Sequence, residues 1–265
     1  IHALHFKFFI LRCKIQSLKA KLEVIELKIA LAQIEITANP ELNAAKMSDF
    51  TNRAKSLGAD VVIFPDVKIN ADKFIVKNSV TPFRLGEIKN YSDESKTSKR
   101  PLIYVNAVGI NWSGKTLYTL DGQSTVYNSR GEIVKRLPSY DEALEIIDLD
   151  EVDKLPALEN IEIDETAQIY RAVSYGTKKF LQHINIDKVV IGISGGIDSA
   201  VAAALYTNIL GAENVYLVNM PSVFNSATTK NLSEQLAKNL GCKYFVVPIQ
   251  ESVDWTVKQL EERGI

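Results

Sequence analysis

The stretch VVIGISGGIDSAVAAAL, residues 189–205, constrains the fold more than any other part of the chain. Val189–Ser194 is an apolar run of strand length, and Asp198–Leu210 carries a helical composition. Two glycines stand between them. A strand that turns into a helix through small residues begins a βα unit. The pattern repeats downstream, with a strand at Val215–Met220, a helix at Thr228–Leu240 and a strand at Tyr244–Ile249. Gly211 and Gly241 stop the two helices, as residues just past a helix C-terminus do. Strand–helix–strand–helix–strand predicts a parallel sheet with right-handed crossovers. A helix over Thr166–His183 precedes it, with Ile169, Ala172, Val173, Gly176 and Phe180 on its inner face.

The junction itself predicts an anion site. The first amides of a helix have no intrahelical acceptor and carry the positive end of its dipole. Gly195 and Gly196 let backbone approach a phosphate. Ser194 and Ser199 offer hydroxyl donors. Asp198 repels a bare phosphate but suits one that arrives with Mg²⁺, since a carboxylate and phosphate oxygens share that ion readily. Ligands of open parallel sheets bind beyond the carboxyl ends of the strands, where this turn falls. A tight turn with Asp198 as a helix N-terminal acid is the plainer alternative. The stretch is neither G-x-G-x-x-G nor a Walker A loop, because no G-K-[ST] follows.

Upstream, Lys28–Ile34 (KIALAQI) alternates as a strand does. Asn39-Pro40 supplies a cap and a first-turn proline for a helix that places Leu42, Ala45, Phe50, Ala54 and Leu57 near one face. Gly58 ends that helix, and Asp60–Asp66 (DVVIFPD) reads as a buried strand. The polar stretch from Lys68 to Arg100, with NYSDESKTSKR inside it, reads as loop or disorder. Strands resume at Pro101–Ile110, Thr116–Asn128 and Glu132–Leu137, with Asn128–Gly131 as a hairpin turn, and Glu142–Asp150 closes the zone. Many strands with helices predict a layered α/β sandwich. The organisation is therefore an extension over 1–27, with Leu18, Leu22 and Ile25 at helical spacing, a first domain over 28–150, an acidic linker over 151–165 holding Pro156, and a second domain over 166–265.

Composition narrows the function classes. Lys+Arg 31 against Asp+Glu 32 gives a net charge of -1 and no reason to expect nucleic acid or a membrane surface as partner. No stretch reaches the ~20 apolar residues of a spanning helix. HFKFFILRC lacks a small-residue cleavage site after it, which argues against a signal peptide. Cys13 and Cys242 are the only cysteines, so a disulfide framework is not expected and a cytoplasmic location fits. The histidines His2, His5 and His183 show no zinc spacing. The first residue is Ile1, not methionine, which suggests a fragment, a processed chain or an uncertain start.

SGGIDS resembles the pyrophosphate-binding loop of the ATP pyrophosphatases that adenylate their substrates. Within that group, VYLVNMPSVFNSATTKNLSEQLAKNLG, with M-P-S closing a strand and L-A-x-x-L-G closing a helix, is similar to the NAD synthetases. KIALAQI, ADVVIFPD, RPLIYVNAVG, LDGQSTVYNSRGEIVKRLP and IIDLDE resemble the nitrilase-like glutaminase domain that precedes the synthetase in glutamine-dependent NAD⁺ synthetases. The resemblance covers roughly 28–265 apart from the polar middle. It implies an α/β fold: an incomplete nitrilase-like sandwich followed by a partial Rossmann-like, adenine-nucleotide-hydrolase-like sheet. It implies ATP and Mg²⁺ as cofactors, with deamido-NAD⁺ and ammonia or glutamine as the other partners. It also implies that deamido-NAD⁺ is adenylated with release of pyrophosphate and that ammonia then displaces AMP. Gly192, Ile193, Ser194, Gly195, Gly196, Asp198 and Ser199 then carry over to the ATP site, with Asp198 as metal ligand and Met220 and Ser222 near the adenosine. A homo-oligomer, or association with an intact synthetase, is the implied assembly.

The sequence departs from the family at two places. The glutaminase triad of the family is Glu, Lys and Cys, and its Glu follows F-P. Here Asp66 follows F-P, one methylene shorter, where a general base needs a reach of about 3 Å. No cysteine lies between Cys13 and Cys242, and Lys68 and Lys73 match no motif. Loss of glutaminase activity is the expectation, with Cys242 a small buried residue. The family continues past the position of Ile265, so a synthetase half of 100 residues (166–265) is expected to form a small sheet, to lack a complete substrate site and to leave apolar surface uncovered. A non-catalytic remnant that at most binds ATP or an intact synthetase is the alternative.

Overall fold

The computed structural model describes residues 27–67, 69, 71–85, 91–159, 164–224 and 226–265. The expected extension, apart from Leu27, lies outside them, as do Cys13 and Lys68. Packing divides the chain into two compact units between Gly176 and Thr177.

The first unit is an α/β sandwich. One sheet has β1 (Lys28–Gln33) at its centre, parallel to β2 (Val61–Ile63) and antiparallel to β9 (Ala143–Asp148). A second sheet has the order β3 (Ile75–Ser79), β4 (Leu102–Asn106), β7 (Thr125–Tyr127) and β8 (Ile133–Arg136). β5 (Val108–Trp112) pairs antiparallel with β6 (Leu117–Asp121). Strand alternation explains the packing. Ile29 and Leu31 of β1 meet Ile103, Val105 and Val126 of the facing sheet in the main core. Ala32 lies on the other face of β1, where it packs with Ile34 and Phe64 against Met47 and Phe50 of α1 (Pro40–Ser56). Leu102, Tyr104 and Tyr127 line the outer face of the second sheet and pack with Tyr91.

Several expectations for this unit change. The inner face of α1 carries Asn43, Met47, Phe50 and Ala54, while Leu42 and Leu57 are each 59% exposed and Ala45 is exposed. Asn43 takes the inner position because its amide is satisfied: it donates to the Thr37 carbonyl at 2.8 Å and accepts from the Thr37 N–H at 2.9 Å. Part of NYSDESKTSKR is helical, forming α2 (Ser92–Ser98). Asp93 and Glu94 suit its N-terminus, and the buried Ser95 hydroxyl anchors it 2.6 Å from the Asn128 carbonyl. The run Thr116–Asn128 is two strands, not one. Gly122–Ser124 breaks it where the buried Gln33 amide accepts from Ser124 N and Oγ, both at 2.9 Å, and donates to the Pro138 and Asp141 carbonyls. The acidic segment begins inside the core: Leu149–Lys154 is a 3-10 turn with Leu149 and Val152 buried. α3 spans Glu165–His183. Ala172 of its expected inner face is buried, but Ile169 and Val173 are exposed.

The second unit contains the predicted parallel sheet. β10 (Val189–Gly192), β11 (Val215–Asn219) and β12 (Lys243–Val246) lie in that order, all parallel. α4 (Ile197–Leu210) and α5 (Ala227–Leu240) provide the connections. Ile191, Leu217 and Tyr244 of neighbouring strands face one way and pack with Ala203 and Ala237 of the two helices. On the other face Val190 is 71% exposed, and the Tyr216 and Phe245 rings stack at 6.4 Å. The strands end earlier than expected, β10 at Gly192 and β12 at Val246. A helix with no sequence expectation, α6 (Gln250–Glu261), follows. No helix among the described residues is long and apolar enough to cross a membrane.

Candidate functional site

The site begins where β10 ends. Ile193, buried, still donates its N–H to the Val218 carbonyl at 2.9 Å. Beyond it the chain leaves the sheet. Gly195 has φ +86°, and a Cβ there would stand 2.3 Å from the Thr229 carbonyl oxygen in the first turn of α5. Only glycine fits. Gly196 is the N-cap of α4 in extended conformation.

The two serines brace this turn. Gly196 N–H donates to Ser194 Oγ at 3.2 Å, and Ser194 N–H donates to Ser199 Oγ at 3.3 Å. Ser199 Oγ donates to the Gly196 carbonyl at 3.0 Å and lies 3.2 Å from Ser194 Oγ. The amides of Ile197, Asp198 and Ser199 open α4, where a helix has no internal acceptors. Asp198 is exposed in that first turn, and its carboxylate makes no hydrogen bond or ion pair among the described residues.

The next strand ends beside the turn. A Cβ on Gly192 would lie 3.3 Å from Met220 Cε, so the methionine side chain lies over the last residue of β10. Ser222 follows in the loop, where its Oγ accepts from Phe224 N–H at 3.4 Å. Phe224 is 88% exposed. Ser226 caps α5 by accepting from Thr229 N–H at 3.2 Å. The nine residues singled out from the sequence thus lie at the carboxyl end of one parallel sheet. Sequence reasoning missed Thr229, which seats Gly195, and Asn219 and Ser233 behind it. The alternation Val215, Leu217, Asn219 was the available signal, because it puts a polar side chain on the helix-covered face of β11.

The donor set fits Mg²⁺ that comes with phosphates rather than a protein-made cage. Mg²⁺ keeps several waters and takes one or two carboxylates plus substrate oxygens. Asp198 offers one unengaged carboxylate, and no group of three or more His, Cys, Asp or Glu that could hold a metal occurs among the described residues.

Asp66 has a different setting. It is exposed, with φ +58°, in the turn after β2, and its carboxylate is unpaired among the described residues. A polar cavity of the same unit is lined by Thr81, Tyr104, Asn106, Asp121 and Arg136, but not by Asp66. Burial pushes the Tyr104 phenol up to about 12. Cys242, half-buried rather than buried, belongs to the second unit, where it packs against the helix-covered core with Sγ 3.2 Å from Thr207 Oγ1.

Residues 169–264 match the NAD synthase family. The glutamine-dependent NAD⁺ synthetase of Synechocystis sp. is 35% identical over 187 residues, which cover 66% of this chain and 32% of that protein. The enzyme of the same name from Rhodobacter capsulatus is 30% identical over 207 residues, 76% of this chain and 35% of the relative. The matches therefore run through both units. The chain carries an NAD synthase domain over residues 169–264 and is similar to the glutamine-dependent NAD⁺ synthetases through both units. It spans about a third of the length of the curated synthetases it matches. The fold agrees. The structure of the glutamine-dependent NAD⁺ synthetase from Acinetobacter baumannii in complex with ADP superposes with a TM-score of 0.78 at 20% identity, over 89% of this chain and 67% of that one. The synthetase from Cytophaga hutchinsonii superposes at 0.59 with 15% identity, over 76% of this chain and 43% of that one.

Proposed function

We propose that the second unit binds Mg²⁺–ATP at the Ser194–Ser199 turn and serves the adenylation of deamido-NAD⁺ in NAD⁺ synthesis with ammonia as nitrogen donor. The seating of Gly195 against α5 carries this reading, because it exposes the first amides of α4 at the carboxyl end of β10. Phosphate oxygens would accept from those amides. Asp198 would hold Mg²⁺, whose charge offsets that of the leaving pyrophosphate. Met220, whose side chain lies over Gly192, and Ser222 in the loop that follows would face the adenosine. The synthetase relative solved with ADP supports nucleotide use.

Asp66, exposed and unpaired among the described residues, and the packing of Cys242 in the second unit support the reading that this chain lacks glutaminase chemistry. The alternative reading is nucleotide binding without turnover. Pyrophosphate release from Mg²⁺–ATP with deamido-NAD⁺ and ammonium chloride decides between the two. Release abolished by Asp198→Ala is the expected result. No release from folded protein that still binds nucleotide leaves the second reading.

A further inference from the structure

Asn219 ends β11 and is 2% exposed. Its Nδ2 donates to the Ile193 carbonyl at 2.8 Å and to Ser233 Oγ at 3.1 Å. Ser233, buried on α5, donates to the Thr229 carbonyl at 3.0 Å and lies 3.4 Å from the same Ile193 carbonyl. These two carbonyls bracket the glycine turn. That of Ile193 is the last backbone acceptor before Ser194, and that of Thr229 is the atom against which Gly195 is seated. One pair of side chains therefore fixes the turn at its start and along its back.

Stability alone does not ask for this arrangement. Asn219 Oδ1 is buried without a hydrogen-bond partner among the described residues, and an orphaned buried acceptor is destabilising. Leucine has a similar volume and no such orphan, and it continues the Val215–Leu217 alternation of the strand. What leucine lacks is the donor that holds the Ile193 carbonyl.

We propose that Asn219, acting with Ser233, is a positioning residue that sets the depth of the glycine turn and so the placement of the α4 amides toward a phosphate. The binding arm of its test rests on the nucleotide reading above; the exchange arm does not. Asn219→Leu and Ser233→Ala are made in the full chain. Amide hydrogen exchange over residues 193–200 is measured without ligand, together with the thermal midpoint and the affinity for Mg²⁺–ADP. Exchange in the turn is expected to rise and affinity to fall about tenfold in Asn219→Leu, the scale of one lost neutral hydrogen bond. Ser233→Ala shifts both in the same direction, the double variant goes no further than Asn219→Leu, and Ser233→Thr, which keeps the hydroxyl, stays near wild type. Wild-type exchange rates in the turn of Asn219→Leu overturn the proposal, and those of Ser233→Ala serve the same purpose where the leucine variant does not fold. Raised exchange in a protein whose wild type does not bind Mg²⁺–ADP removes the nucleotide reading and supports the positioning role.

Discussion

Gly195 is where the smallest chemical change has the largest expected consequence. Alanine there meets both a left-handed backbone and a carbonyl oxygen 2.3 Å from its Cβ. Gly195→Ala is expected to lower stability by about 1–3 kcal/mol and to open the turn, seen as a lower thermal midpoint with faster exchange at residues 194–199. Tyr104 gives a pH prediction. Burial raises its phenol from 10.0 to about 12, so its contribution to stability is whole below pH 10 and is lost as pH rises toward 12, because the unfolded chain gives up this proton first. The stability advantage of wild type over Tyr104→Phe should shrink across that window in urea titrations at alkaline pH. At this scale the sequence shows the SGGIDS turn plainly, since small residues between a strand and a helix have few other uses. It does not show that Ser194 and Ser199 bond to the turn itself, nor that Thr229, 34 positions after Gly195, sits behind it. Those facts depend on where α5 returns.

The elements follow local chemistry closely where caps mark them. Asn39 caps α1 by accepting from the Glu41 and Leu42 amides, with Pro40 at its first position, as its sequence announces. Which face of α1 turns inward is another matter. Hydrophobicity points to Leu42 and Leu57, but the Thr37–Asn43 bonds rotate the helix and leave both leucines in solvent. Phe50→Ala is expected to destabilise by about 3–5 kcal/mol. Leu42→Ala should change stability by no more than about 0.5 kcal/mol. Equal effects in denaturant titrations would contradict the face assigned here. α2 shows the opposite case, a polar segment without periodicity that is helical because Ser95 and Tyr91 are held by the second sheet. Tertiary contacts decide such a segment, and no window of sequence contains them.

The two units differ in how far their sequence speaks. The strand–helix succession after residue 189 fixes a parallel sheet, and parallel strands carry their own connections, so order is readable along the chain. In the sandwich, β1 pairs with β9, more than 100 residues away, and alternation alone names the faces but not the partners. The glycine turn of the second unit is the proposed site for a nucleotide with its metal. Calorimetric titration of Mg²⁺–ATP into the full chain tests it most directly, with Asp198→Asn and Gly195→Ala beside the wild type. One site is expected in the wild type, with loss of binding in Gly195→Ala and an Asp198→Asn variant whose affinity no longer improves when Mg²⁺ is added to ATP. No binding to folded wild type, or equal affinity in all three proteins, would contradict it.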